Sequence, residues 1–199
     1  GSIDLSAATN ESFDGNTYVA KISTKKYYGA TIAKTTIEHE DFELNNGTIT
    51  LENDLDLESI IEEFKNSELN CQSNNITSNL TITGAGNTLT NCVLNGTSTL
   101  TINGNSTTVS GGSVAGAVSG SGNNIEFESN ATLSNSVSLT GNNITFTNTD
   151  ISNNLTLNGD NPTLNGGSVG GNTEFNGDNS SGDNIQGVTF SGTVDVNGT

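Results

Sequence analysis

Short, mostly apolar starts recur along this chain at Leu80, Leu100, Val118, Val137, Leu155, Thr173 and Val194, spaced by 20, 18, 19, 18, 18 and 21 residues. With the segment from Leu155 as template, apolar residues fall at offsets 0, 2, 9 and 14: Leu155, Leu157, Leu164 and Val169. The segment from Val137 repeats this with Leu139, Phe146 and Ile151, and the one from Leu100 with Ile102, Val109 and Val114. The rungs from Leu80 and Thr173 match once surplus residues are placed in turns, where insertion costs least: after Leu94 in Asn95 to Ser98, and near Ser180 to Gly182; the rung from Val118 gives Phe127 and, displaced by one, Leu133, while Gly120 is a gap. Offsets 0 and 2 are alternate residues of one strand facing inward, and offsets 9 and 14 belong to two further short strands. Asn-Gly, Gly-Asp-Asn and Gly-Gly sit between them, where a chain can bend with positive φ at little cost.

Each repeat therefore predicts a rung of three strands and three bends. Rungs stacked at about 4.8 Å would pair each strand with its copy above and below, and the four apolar columns would form a continuous core. One such column reads Leu89, Val109, Phe127, Phe146, Leu164, Ile185. A left-handed hexapeptide solenoid completes a turn of the same length in three hexapeptides, but its inward positions counted from Leu155 would be Asn161 and Gly167, which fails. The expected class is all-β, a parallel β-helix over 67–199 whose rungs have the length that separates Val137 from Leu155 and Leu155 from Thr173.

The phrases Asn79-Leu-Thr-Ile-Thr-Gly-Ala-Gly-Asn87 and Leu155-Thr-Leu-Asn-Gly-Asp-Asn161 carry a resemblance. They are similar to rungs of the right-handed parallel β-helix of the pectin-lyase-like superfamily, as used by adhesin-like surface proteins, autotransporter passengers and phage tail spikes. The resemblance covers about two thirds of the chain. It implies a right-handed helix and an extracellular setting.

Ahead of the repeats, Asp54 to Asn66 places Leu57, Ile60, Ile61 and Phe64 on one helical face, with acids near its start and Lys65 near its end. This reads as a capping helix over 54–66 that shields the open end of the stack. Residues 17–51 alternate as strands do, so 1–53 reads as a β-rich cap or lead-in region. Counting one template rung back from Leu80 starts the first rung at Glu62 and puts Phe64, Cys71 and Ile76 at offsets 2, 9 and 14. Cys71 then lies under Leu89, whereas Cys92 falls at offset 12, about 10 Å along the path from Leu89, so two free thiols are expected. At the other end the chain stops six residues into the rung from Val194, which predicts either more solenoid or another chain over that edge, such as a homotrimer partner.

Composition changes the picture in one respect. Only 30% of residues are hydrophobic, Trp and Met are absent and there is one Pro, a make-up that is disordered unless a repeat gives each residue a regular role.

Charge then removes partners. The formal net charge is −17, there is no Arg, and Lys21, Lys25, Lys26, Lys34 and Lys65 all precede residue 66. From there on nine acids stand without a base, which argues against phosphate contacts with nucleic acid and against an anionic membrane surface. No apolar run has membrane length, so no insertion is expected.

Candidate chemistry is sparse. A polysaccharide lyase needs a positioned base, usually Lys or Arg, and the solenoid has neither. A hydrolase needs convergent carboxylates; the acids here are Glu68, Glu126, Glu128, Asp150, Asp160, Glu174, Asp178, Asp183 and Asp195. Asp160 and Asp178 occupy matching Asn-Gly-Asp-Asn turns one rung apart, a possible cation corner for which solvated turn residues are the plainer reading. His39, between Glu38 and Glu40, lacks a second His or Cys nearby and reads as a surface residue. No cofactor is implied.

Beside the offset-9 column, outward positions read Thr88/Thr90, Thr108/Ser110, Glu126/Glu128, Thr145/Thr147 and Thr163/Asn165. This hydroxyl ladder resembles that of ice-binding solenoids. The Glu pair interrupts it, and Thr is simply a good exposed strand residue. Glycan recognition commonly uses aromatic platforms, but Tyr18, Tyr27 and Tyr28 all precede the solenoid. The expected function is that of a non-enzymatic structural or adhesive segment of an extracellular cell-surface protein, with a host or environmental glycan or a receptor protein as candidate partner. A trimeric phage tail fibre, an ice-binding solenoid and a polysaccharide-processing enzyme follow in that order.

Overall fold

The computed structural model describes residues 12–13, 26–28, 31–33, 43–45, 48–51, 54, 63–177 and 184–197. Its described residues form strands, turns and bends with no helix, and every strand pair is parallel. The chain is a parallel β-solenoid.

Three faces are built from three kinds of strand. The first face stacks Leu80–Ile82, Leu100–Ile102, Val118–Ser121, Val137–Thr140, Leu155–Asn158, Thr173–Phe175 and Val194–Val196 into a 7-stranded sheet. The second stacks Glu68–Asn70, Thr88–Thr90, Thr108–Ser110 and Glu126–Glu128. The third stacks Asn75–Ile76, Val93–Leu94, Ser113–Val114 and Thr132–Leu133. Two longer strands, Thr145–Ile151 and Thr163–Val169, run around the corner between the second and third faces, so those faces belong to one 15-stranded sheet. Asn148 and Gly166, with φ of 49° and 75°, make that corner without ending the strand.

The register is the one the apolar repeat predicts. On the first face Leu80, Leu100, Val118, Val137, Leu155, Thr173 and Val194 lie over one another in order. On the second face Leu89, Val109, Phe127, Phe146, Leu164 and Ile185 do the same, and on the third Leu94, Val114, Leu133, Ile151, Val169 and Phe190. A slip of one residue would turn each column outward, so burial of one side chain in two locks the stack. Burying each aliphatic side chain stabilises by about 1.5–3 kcal/mol. The rings of Phe127 and Phe146 stack face to face on successive rungs, centroids 5.0 Å apart and 5° from parallel.

A fifth inward column lies just before the second face: Ser67, Asn87, Thr107, Ile125, Ile144 and Pro162. Its lower members are polar, yet Asn87 Nδ2 donates to the Gly84 carbonyl at 2.7 Å and Thr107 Oγ1 to the Gly104 carbonyl at 3.4 Å. A buried polar group with a partner avoids the desolvation penalty, so these positions serve the core as the isoleucines above them do.

The corner after the first face explains much of the Gly and Asn content. Gly84, Gly104, Gly122, Gly141, Gly159 and Gly177 stack directly, and a side chain on any of the upper five would strike the carbonyl oxygen of the glycine below. The next position forms an asparagine ladder: Oδ1 of Asn105, Asn123 and Asn142 accepts from the backbone N–H of Asn123, Asn142 and Asp160 at 2.8–2.9 Å. A similar ladder precedes the first face, where Asn154 Oδ1 accepts from Asn172 N–H and Asn172 Oδ1 from Thr193 N–H.

The first rung corrects the sequence reading. Leu69, not Cys71, pairs with Leu89, because this rung is two residues longer than the template; only Ile76 under Leu94 stands where it was expected. With that shift Cys71 and Cys92 share one corner of neighbouring rungs, and instead of two free thiols they form a disulfide with Cα atoms 4.8 Å apart. Both cysteines are buried. Of the expected helix over 54–66, residues 55–62 lie outside the described residues, while Glu63–Lys65 is a strand paired with Glu43–Asn45. Further back, Ile32, Ile49 and Leu69 pair in turn, as do Phe13 and Ile32, so the described strands before residue 51 stack in the same parallel sense.

Candidate functional site

Among the described residues, the outward side of the second face is a regular chemical surface. Pleating turns every second residue outward, and the pairing sets Thr88, Thr108, Glu126, Thr145 and Thr163 in one line, with Asn70, Thr90, Ser110 and Glu128 in a parallel one beside it. Thr147 pairs with Asn165 in that second line. All six hydroxyl positions of the predicted ladder, Thr88, Thr90, Thr108, Ser110, Thr145 and Thr147, are thus brought together, and each is half-buried between its neighbours. The result is a flat grid with a repeat of about 4.8 Å between rungs and roughly 6.8 Å along the strand. Glu126 and Glu128 stand in its middle and Glu68 at its lower end, where Glu68 Oε1 accepts from Thr90 Oγ1 at 2.9 Å. Such a grid offers hydroxyl donors and carboxylate acceptors.

A second hydroxyl line, not anticipated from the sequence, runs up the first face: Thr81, Thr101, Ser119, Ser138 and Thr156, ending in Glu174 and Asp195. The signal was present, since each is the single residue between the offset-0 and offset-2 positions. Beside its upper end Asn158, Asn176 and Asn197 form a side-chain ladder, and Asn197 Nδ2 also donates to Glu174 Oε1 at 3.1 Å.

The remaining candidates are dispersed. Asp160 belongs to the asparagine ladder, its N–H on Asn142 Oδ1 at 2.9 Å, while its expected partner Asp178 lies outside the described residues, as do Asp183, His39 and Tyr18. The described acids occupy all three faces, and Asp150 on the third accepts from Ser168 Oγ at 2.7 Å. Among the described residues no three His, Cys, Asp or Glu side chains converge as metal ligands would. Asp54 is held below the ordinary carboxylate range by hydrogen bonds from Asn75, first from its side chain at 3.0 Å and then from its backbone N–H at 2.8 Å.

Inside the solenoid there is a void of about 10 Å³ between Leu89, Cys92, Gly112, Val114 and Ala131. It is apolar and no larger than one water, so it is a packing gap where the column shrinks to glycine and alanine. Among the described residues no helix is long and apolar enough to cross a membrane.

Comparison with protein-family models, with curated proteins and with solved structures finds no match for this chain. Its class rests on its own pairing pattern.

Proposed function

We propose that this chain is a structural and adhesive segment of an extracellular cell-surface protein, a rigid stalk without catalytic activity, built as a right-handed β-helix of the pectin-lyase-like kind. The observation that carries the reading is the Cys71–Cys92 disulfide between consecutive rungs, because buried structural disulfides belong to oxidising compartments. Three further features support it. The asparagine ladders bond the corners on either side of the first face to the rung below, and the glycine column lets successive rungs approach closely, which favours a stiff rod. The formal charge of −17 keeps such a rod soluble in a salty exterior. The outward faces are flat and polar, suited to contact with an extended glycan or a receptor surface.

Glycan-array binding, with turnover of the same polysaccharides followed in parallel, tests the reading. Saturable binding without turnover is the expected result for an adhesive segment, and binding to none leaves the stalk role; release of any cleaved sugar overturns the assignment. A second reading, an ice-binding face, is favoured by the in-register hydroxyl lines and opposed by Glu126 and Glu128 within them. Thermal hysteresis decides it. Light scattering separates a single-chain surface segment, near 20.4 kDa, from a trimeric tail fibre near three times that mass.

A further inference from the structure

We infer that Asn95 is a site of spontaneous covalent modification of the folded chain, where the side-chain amide cyclises onto the Gly96 nitrogen and reopens as aspartate or isoaspartate. Asn-Gly steps are the susceptible ones, because glycine neither shields its backbone nitrogen nor resists the rotation that closes the ring. Five such steps lie wholly within the described residues, beginning at Asn95, Asn103, Asn158, Asn165 and Asn176.

Four of them are clamped by stacking. A side chain at Gly104 would strike the Gly84 carbonyl, at Gly159 that of Gly141, at Gly177 that of Gly159, and at Gly166 the Asn148 amide. Asn158 and Asn176 also have their side-chain amides tied into a ladder, with Asn176 Nδ2 on Asn158 Oδ1 at 3.0 Å and Asn197 Nδ2 on Asn176 Oδ1 at 2.9 Å. The backbone of these steps moves only if neighbouring rungs part. Gly96 differs, having no atom within 4 Å of where a side chain would begin. It lies in the stretch of surplus residues after Leu94, with Asn95, Gly96 and Thr97 all exposed. The Asn95 amide is tied only at the surface, where Nδ2 donates to Asn75 Oδ1.

The step needs water alone. As its proton passes to solvent base, the Gly96 nitrogen bonds to Asn95 Cγ; the Cγ–Nδ2 bond breaks and the nitrogen leaves as ammonia; water then opens the cyclic imide on either side. The product carries a new negative charge, and the donor that faced Asn75 Oδ1 is replaced by an oxygen. Because Asn75 is held from below by Asp54, the change acts on one end of the Asp54–Asn75–Asn95 ladder.

The test is to incubate the folded chain in mildly alkaline buffer and follow all five sites by peptide mass mapping, with enzymatic methylation to mark isoaspartate. Asn95 is expected to convert at least about tenfold faster than any other site, a difference of ~1.4 kcal/mol in barrier. In denaturant the five rates should converge, since the clamps are then gone. A native rate at Asn95 no faster than the rest, or a spread that survives unfolding, overturns the inference. So does an undiminished signal from this peptide in Asn95→Gln, whose longer side chain closes the ring far more slowly.

Discussion

Gly141 and Thr173 show how much one side chain matters where rungs touch. Gly141 has φ of 148° and lies against the carbonyl oxygen of Gly122, so Gly141→Ala adds both backbone strain and an overlap that stacking cannot relieve. The expected loss is about 2–4 kcal/mol, read as a lower urea midpoint. Gly96→Ala is the control: its φ of 66° is also left-handed, but open space surrounds it, and about 1 kcal/mol should be lost. If both variants unfold alike, the clash argument is wrong. Thr173 is the opposite case. It stands in the inward column between Leu155 and Val194, is 1% exposed, and its hydroxyl has no partner. Thr173→Val keeps the shape and removes the orphaned hydroxyl, so it should stabilise by about 1 kcal/mol; a destabilised variant would mean that the hydroxyl is bonded after all.

At the scale of the element, the rung is the unit, and the Cys71–Cys92 bridge ties two of them. It closes a loop of 21 residues, for which the chain-entropy account gives about 3 kcal/mol. Reduction should therefore lower the urea midpoint by about 1–2 M at a slope of roughly 2 kcal/mol per M, and an unchanged midpoint would show that stacking alone holds this corner. The rungs also show what a pattern of apolar residues can and cannot disclose. Offsets 0, 2, 9 and 14 were legible because burial in a strand imposes strict alternation. The Ser67 to Pro162 column was not, because its polar members are made acceptable by carbonyls that only the fold brings near. The disulfide was missed for a related reason: the template rung carried back from Leu80 misplaces Cys71, and the greater length of the first rung shows only in how Leu69 and Ile76 pair with the rung above.

For the whole molecule, charge works against compaction. With 22 acids and 5 bases, the described acids spread over three faces, like charges repel along the stack at low ionic strength. Raising salt from about 10 mM to 150 mM shortens the Debye length from roughly 30 Å to 8 Å, so the thermal midpoint is expected to rise across that range. A midpoint that falls instead would point to stabilising ion pairs. The candidate surfaces belong to this scale as well. The second-face grid could be foreseen once rungs of known register were assumed, because outward residues flank each inward one. The first-face line ending in Glu174 and Asp195 follows from the same rule, but it becomes a line only when seven strands lie over one another.

The amino-acid sequence alone determined that this is a parallel solenoid, which residues form the four apolar columns from Leu80 onward, and where most surplus residues bulge, because alternation and repeat length are local properties of the chain. Only the tertiary structure decided which positions of unlike sequence share a column, that Cys71 and Cys92 meet, and why glycine and asparagine are needed at the corners. Those depend on distances between rungs, and a contact between one rung and the next has no signature in the few residues on either side of it.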